Sequence, residues 1–166
     1  MVLLLDADAL IKLYRAGVLQ HVAHTFECVI PEGIFHEVVT SGRQFQYPDA
    51  ESINQVIESD ITVHRVTEVP PDILEVPGVD AGERDLLGLF YTLSVEAEAI
   101  IISDDRRFLA VLGHEEIPAL TPPDLVVLMA RQDYLERPEA KTALEDMRPS
   151  IRETAYRQAL ADIEAE

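Results

Sequence analysis

This chain is short of the residues that most readily announce a class. It has one cysteine, Cys28, among 166 residues, so an internal disulfide is excluded and the thiol reads as a small buried hydrophobe in a strand-like stretch. His21 and His24 share a helix face, but no cysteine or third histidine accompanies them, and they read as surface or partly buried side chains rather than zinc ligands. No apolar run approaches the roughly 18 residues of a membrane span. Val2–Leu5 is too short for a secretion signal and has no basic residues ahead of it, so a cytoplasmic protein with no membrane partner is expected. Bases are few as well: 13 Lys and Arg stand against 31 Asp and Glu, a formal net charge of −18. That imbalance argues against nonspecific nucleic-acid binding through the whole surface. Eleven of the 13 bases are arginine, which pairs with phosphate bidentately, so a local basic patch stays open.

What is present is enough for one domain with a real core: apolar residues make up 48% of the chain, which excludes disorder. Val2–Leu5 and Ala99–Ile102 are continuous apolar runs, the pattern of strands covered on both faces. Shorter strands are expected at Cys28–Ile30, Ile61–Val66 and Ile117–Leu120. Helices are expected at Ala9–Ala16, with Asp8 as its cap and Gly17 as its stop, at Val18–Phe26, and from Pro31 to about Val39. Ser41–Pro48 reads as a polar loop, and Ala50–Ser59, Ala81–Glu96 and Asp104–Leu112 as further helices. Pro122-Pro123 starts another, and Pro138 and Pro149 punctuate two more. Alternating helices and strands predict an α/β protein with a largely parallel sheet. Residues 1–132 form the main domain in this reading, and residues 133–166 a helical extension packed on or beside it.

The acids fall at telling places. Asp6 ends the first apolar run, and Asp104 and Asp105 follow the second; ligands of parallel sheets bind outside those carboxyl ends. Asp8, two residues on, suits a plain helix cap, a ligand, or both. At 100° per residue Glu83 shares the stripe of Leu86, Leu87 and Phe90, whereas Asp85 lies opposite. Glu83 is therefore expected to face the sheet and Asp85 the solvent. A reciprocal cap with Asp80 is the other reading of Glu83. Two unit charges ~4 Å apart repel by about 4 kcal/mol at an effective dielectric of ~20, so carboxylates clustered at one rim call for a cation. All-oxygen donors favour Mg²⁺ or Mn²⁺ over zinc, which makes Asp6, Asp8, Glu83, Asp104 and Asp105 the candidate ligands.

These residues match a family. Leu3-Leu4-Leu5-Asp6-Ala7-Asp8-Ala9-Leu10-Ile11 resembles the opening of PIN-domain ribonucleases, which include the toxins of toxin–antitoxin pairs. Val29-Ile30-Pro31-Glu32 through His36-Glu37-Val38-Val39 resembles their second motif and puts its acid at Glu37. Ala81-Gly82-Glu83-Arg84-Asp85 resembles a Gly-Glu form of the third, and Ile101-Ile102-Ser103-Asp104-Asp105-Arg106-Arg107 the fourth, landing on Asp105. The likeness covers about Val2 to Leu120. It departs at Asp8, where the family often has Asn, Ser or Thr.

The resemblance implies a three-layer α/β/α fold with C-terminal helices and an endoribonuclease dependent on Mg²⁺ or Mn²⁺. In it Asp6 and Asp105 would be the main ligands, and Glu37 and Glu83 would complete the catalytic four. Ser103 would position one of them, and Lys12, Arg15, Arg84, Arg106 and Arg107 would hold RNA phosphates. An antitoxin protein and a second copy of the chain are the partners it implies. Two rivals stand beside it. Asp6-Ala7-Asp8 also suits a haloacid-dehalogenase-like phosphatase with Asp6 as nucleophile, although Ile61–Glu98 lacks the lysine that family needs. The charge and the helical extension also suit a non-catalytic PIN-like module that binds a basic protein.

Overall fold

The computed structural model describes residues 1–165. In chain order the first half comprises β1 (Val2–Leu5), α1 (Ala7–Arg15), α2 (Leu19–Thr25), β2 (Glu27–Pro31), α3 (Glu32–Phe35), a π-helical turn (His36–Thr40), α4 (Ser41–Gln44), α5 (Ala50–Asp60) and β3 (Ile61–His64). The second half comprises α6 (Pro71–Leu74), α7 (Ala81–Leu93), β4 (Ala99–Ile102), α8 (Arg106–His114), β5 (Ala119–Leu120), α9 (Pro122–Arg131), α10 (Arg137–Met147), a 3₁₀ turn (Arg148–Ser150) and α11 (Glu153–Glu164). The five strands form one sheet in the order β3-β2-β1-β4-β5, parallel at every pairing.

The apolar runs are explained by coverage of both faces. Leu3 and Leu5 of β1, Cys28 and Ile30 of β2, and Ile102 of β4 point into one core, shared with Leu10 and Leu13 of α1, Ile53 of α5 and Leu125 of α9. Val2, Leu4, Val29 and Ile101 point into the other, against Leu86 and Leu87 of α7 and Phe108 and Leu112 of α8. This is the expected three-layer α/β/α arrangement. Fully burying each such side chain contributes about 1.5–3 kcal/mol, so the sheet's position between two helical layers is over-determined. The C-terminal helices add Ala140, Leu144 and Met147 of α10, and Tyr156 and Ile163 of α11, to the first core rather than standing apart from it. No helix among the described residues is long and apolar enough to cross a membrane.

Several expectations shift in detail. The cap of α1 is Asp6, not Asp8: Asp6 has extended backbone (φ −78°, ψ 171°) and its carboxylate accepts the Ala9 amide, because the helix begins immediately at the strand's end. Ser41–Pro48 is not a loop throughout. The π turn carries the helix begun at Glu32 on into α4, and only the stretch after Gln44 is irregular. Strand β3 stops at His64 rather than Val66, and β5 shrinks to Ala119–Leu120, both being edge strands with one partner.

Candidate active site

Two loops leave the sheet side by side where its winding reverses, between β1 and β4, which is where open parallel sheets take ligands. The Asp6 amide donates to the Ile102 carbonyl at 3.2 Å and the Ser103 amide to the Leu120 carbonyl at 3.1 Å, so the loops are tied to the strand ends beside them. Asp6 is 8% exposed, and its carboxylate accepts the Ala9 amide at 2.7 Å. Burial pushes its carboxyl up to about 6; hydrogen bonds from the Ser103 hydroxyl and the Ala9 amide oppose the rise, and the charges of Asp8 and Asp104 add to it. Ser103 is fully buried, and its hydroxyl oxygen also accepts the Asp105 amide at 3.2 Å. It therefore links the first and last acids. Asp105 caps α8, accepting the Phe108 amide at 2.9 Å.

The other two acids come from helices. Glu37 lies on the π turn, a distortion that frequently accompanies functional sites. The residue is exposed, but the protein around its carboxyl partly desolvates it and raises it, and the charges of Asp80 and Asp8 raise it further. Glu83 is half-buried and makes the capping box its spacing predicts: it accepts the Asp80 amide at 2.9 Å, and Asp80 accepts the Glu83 amide at 2.9 Å. Its carboxyl is raised by burial first, then by Asp80 and Asp105, against the Asp80 amide and the Arg107 guanidinium. A β-carbon placed on Gly82 would lie 3.5 Å from an Asp80 oxygen and 3.8 Å from a Glu37 oxygen, ordinary contact distances that put both carboxylates beside the start of α7.

The acids thus form one electrostatic chain. Asp8 bridges Asp6 and Glu37, Asp80 bridges Glu37 and Glu83, and Asp105 acts on Glu83. Asp80 is the member that sequence reasoning treated only as a cap. Its one signal was its spacing from Glu83. Asp104 belongs to the rim, but the Lys12 ammonium is bonded to it from α1, so its charge is largely neutralised. Lys12 is therefore engaged, as is Arg15, which holds Asp49 at 2.7 Å. The Arg84 Nε is buried without a hydrogen-bond partner, whereas Arg106 and Arg107 are exposed. Asp85 does not face open solvent as its stripe position predicts. It is half-buried, and a β-carbon on Gly33 would lie 2.9 Å from its carboxylate, because α3 packs against that side of α7.

Among the described residues no group of three or more acids, histidines or cysteines is placed closely enough to hold a metal ion as it stands. The donor set nonetheless suits a hard divalent cation. All the candidate donors are carboxylate oxygens, and Asp6, Glu37 and Glu83 are each raised in part by another carboxylate, a repulsion that a nearby 2+ charge relieves. A cavity of about 660 Å³ exists elsewhere, at the amino-terminal rim beside Met1, Glu27 and Glu98, away from these acids.

Comparison with known proteins adds one match. The family model DUF3368, a PIN domain, matches residues 2–164. No curated protein and no solved structure matches. PIN domains are generally nucleases, hydrolases that bind nucleic acid and typically use divalent metals, which decides against the phosphatase reading of Asp6. A match that begins in the first strand and ends in the last helix leaves one conclusion about descent: this chain belongs to the PIN-domain family.

Proposed function

We propose that the chain is a Mg²⁺- or Mn²⁺-dependent endoribonuclease, acting in the cytoplasm as the toxin of a toxin–antitoxin pair. The observation that carries this reading is the connected run of raised carboxyls at the β1–β4 switch point. Asp6 and Asp105 would hold the cation directly, each already oriented by a backbone amide, from Ala9 and Phe108 respectively. Glu83, steadied by its capping box, and Glu37 would complete the ligand set or act through water. When bound, the cation supplies charge neutralisation at the phosphate and an activated water for in-line attack. Ser103 positions Asp6 and the Asp105 backbone, and Arg107, which acts electrostatically on Glu83, is placed to meet substrate phosphate. The net charge of −18 supports the antitoxin half of the reading, since it favours a basic partner protein.

The test is cleavage of end-labelled single-stranded RNA by the purified chain. Cleavage should require Mg²⁺ or Mn²⁺, stop with EDTA, and fall by about 10³-fold or more in Asp6→Asn, the scale of several kcal/mol of lost metal assistance. Equal cleavage in EDTA or by that variant would overturn the assignment.

A further inference from the structure

Beside the acids, the C-terminal segments close a cavity of about 260 Å³. Asp104 and Arg106 line it from the end of the β4 loop and the start of α8, Thr121 from the start of α9, and Ser150, Ile151 and Arg152 from the turn into α11. Six arginines hold no carboxylate among the described residues, and two of them meet at this cavity. Acids outnumber bases 31 to 13 in this chain, and Lys12, Arg15, Arg43, Lys141, Arg148 and Arg157 each hold a carboxylate. Arg106 and Arg152 hold none among the described residues. Glu153, the acid next to Arg152, is turned to Arg148 at 3.0 Å and to Arg157 at 2.9 Å. Asp104 is held by Lys12. The Thr121 hydroxyl is bonded to Asp124 at 2.7 Å and the Ser150 hydroxyl to the Met147 carbonyl at 2.9 Å, so both are occupied by their own helix ends. The lining residues with no partner for their charge are two arginines, which carry the group best shaped to grip phosphate oxygens.

We infer that this cavity is a second phosphate subsite, in which Arg106 and Arg152 hold the phosphodiester of the RNA strand adjacent to the one at the acids. The inference rests on the nuclease reading. Asp104 lines the cavity and Asp105 belongs to the acid rim, so neighbouring positions in the loop serve neighbouring sites. The volume falls just under the roughly 300 Å³ at which pockets for whole drug-sized ligands begin, which suits one sugar-phosphate unit of a strand. In this arrangement the C-terminal helices build the substrate groove and do not cover it.

The experiment is fluorescence anisotropy of a short single-stranded RNA on the full chain carrying Asp6→Asn, with and without Arg152→Ala. Removing Arg152 should weaken binding about tenfold and flatten the plot of log Kobs against log salt by about 0.7, one phosphate contact on a single strand. Arg152→Lys should keep the slope and lose part of the affinity. Arg137→Ala, which removes an equally unpaired cation at the start of α10, should change neither. An unchanged slope and affinity in Arg152→Ala, on a parent that binds RNA, overturns the subsite alone. No RNA binding by the parent overturns the nuclease reading and the subsite with it. Displacement of the strand by a free mononucleotide at equal concentration overturns the strand assignment in favour of a free phosphate ligand.

Discussion

Two regions of this protein use the same residue types to opposite ends. In the α10–α11 hairpin, Arg148 donates to Glu153 at 3.0 and 3.1 Å and lies 4.5 Å from the centre of the Tyr156 ring. Arg157 reaches the same carboxylate, and Lys141 holds Glu164 at 2.8 Å. Glu153 is accordingly lowered, because two guanidiniums hydrogen-bond it. At the β1–β4 rim the signs reverse: Asp6, Glu37 and Glu83 are all raised, acids act on acids, and Arg106 and Arg152 stand unpaired nearby. Charge that is paired on an exposed surface adds little stability and leaves nothing for a ligand to satisfy. Charge left unsatisfied at a strand-end rim is available to a ligand, and costs stability until the ligand arrives.

The sharpest way to break this contrast is activity. Asp105→Asn at the rim should lower RNA cleavage by about 10³-fold or more, whereas Arg148→Ala and Glu153→Gln in the hairpin should leave the rate unchanged. Equal losses in both regions would dissolve the distinction.

A second measurement is metal-free stability against pH. Asp6 rises from 3.8 unfolded to about 6 folded, so between those values the native state binds more protons than the unfolded chain. Stability from this group is highest below about pH 4, falls as pH climbs towards 6, and stays low above, a loss of roughly 3 kcal/mol. Glu37 and Glu83 push in the same direction. Asp6→Asn, which still caps α1, should unfold with more urea at pH 7 and lose most of that slope. A variant less stable than the parent at pH 7 would show that the rim acids are structural.

Metal should then reverse the cost. Mn²⁺ at about 100 times its dissociation constant should stabilise the chain by about 2.7 kcal/mol, read as a rise in Tm, and the rise should vanish in the Asp6→Asn/Asp105→Asn double variant. A rise that survives there would move the cation elsewhere. The smallest effect belongs to the hairpin: Glu153→Gln should shift Tm only slightly and less still in high salt, since its ion pairs are exposed and screened.

The sheet was legible because its signal is local. A strand covered on both faces must be apolar at consecutive positions, and Val2–Leu5 and Ala99–Ile102 state that directly. The capping box of α7 was legible for the same reason, since Asp80 and Glu83 lie within one turn. Periodicity misplaced Asp85 because it describes one helix and not the α3 backbone that covers its outer face. The cap of α1 is Asp6 and not Asp8 because the strand ends one residue before the helix begins, and where that strand ends is decided by its pairing in the sheet.

Sequence alone determined the layers, the parallel sheet and the placing of Asp6 and Asp105 at strand ends, because period and run length are properties of neighbouring residues. Tertiary structure decided how the charges pair: that Lys12 neutralises Asp104 from 92 positions away, that Asp80 acts on Glu37, and that Arg152, the cap of α11, lines one cavity with Arg106. A Coulomb interaction depends on separation in space and on burial, and the chain sets those only once its helices have packed.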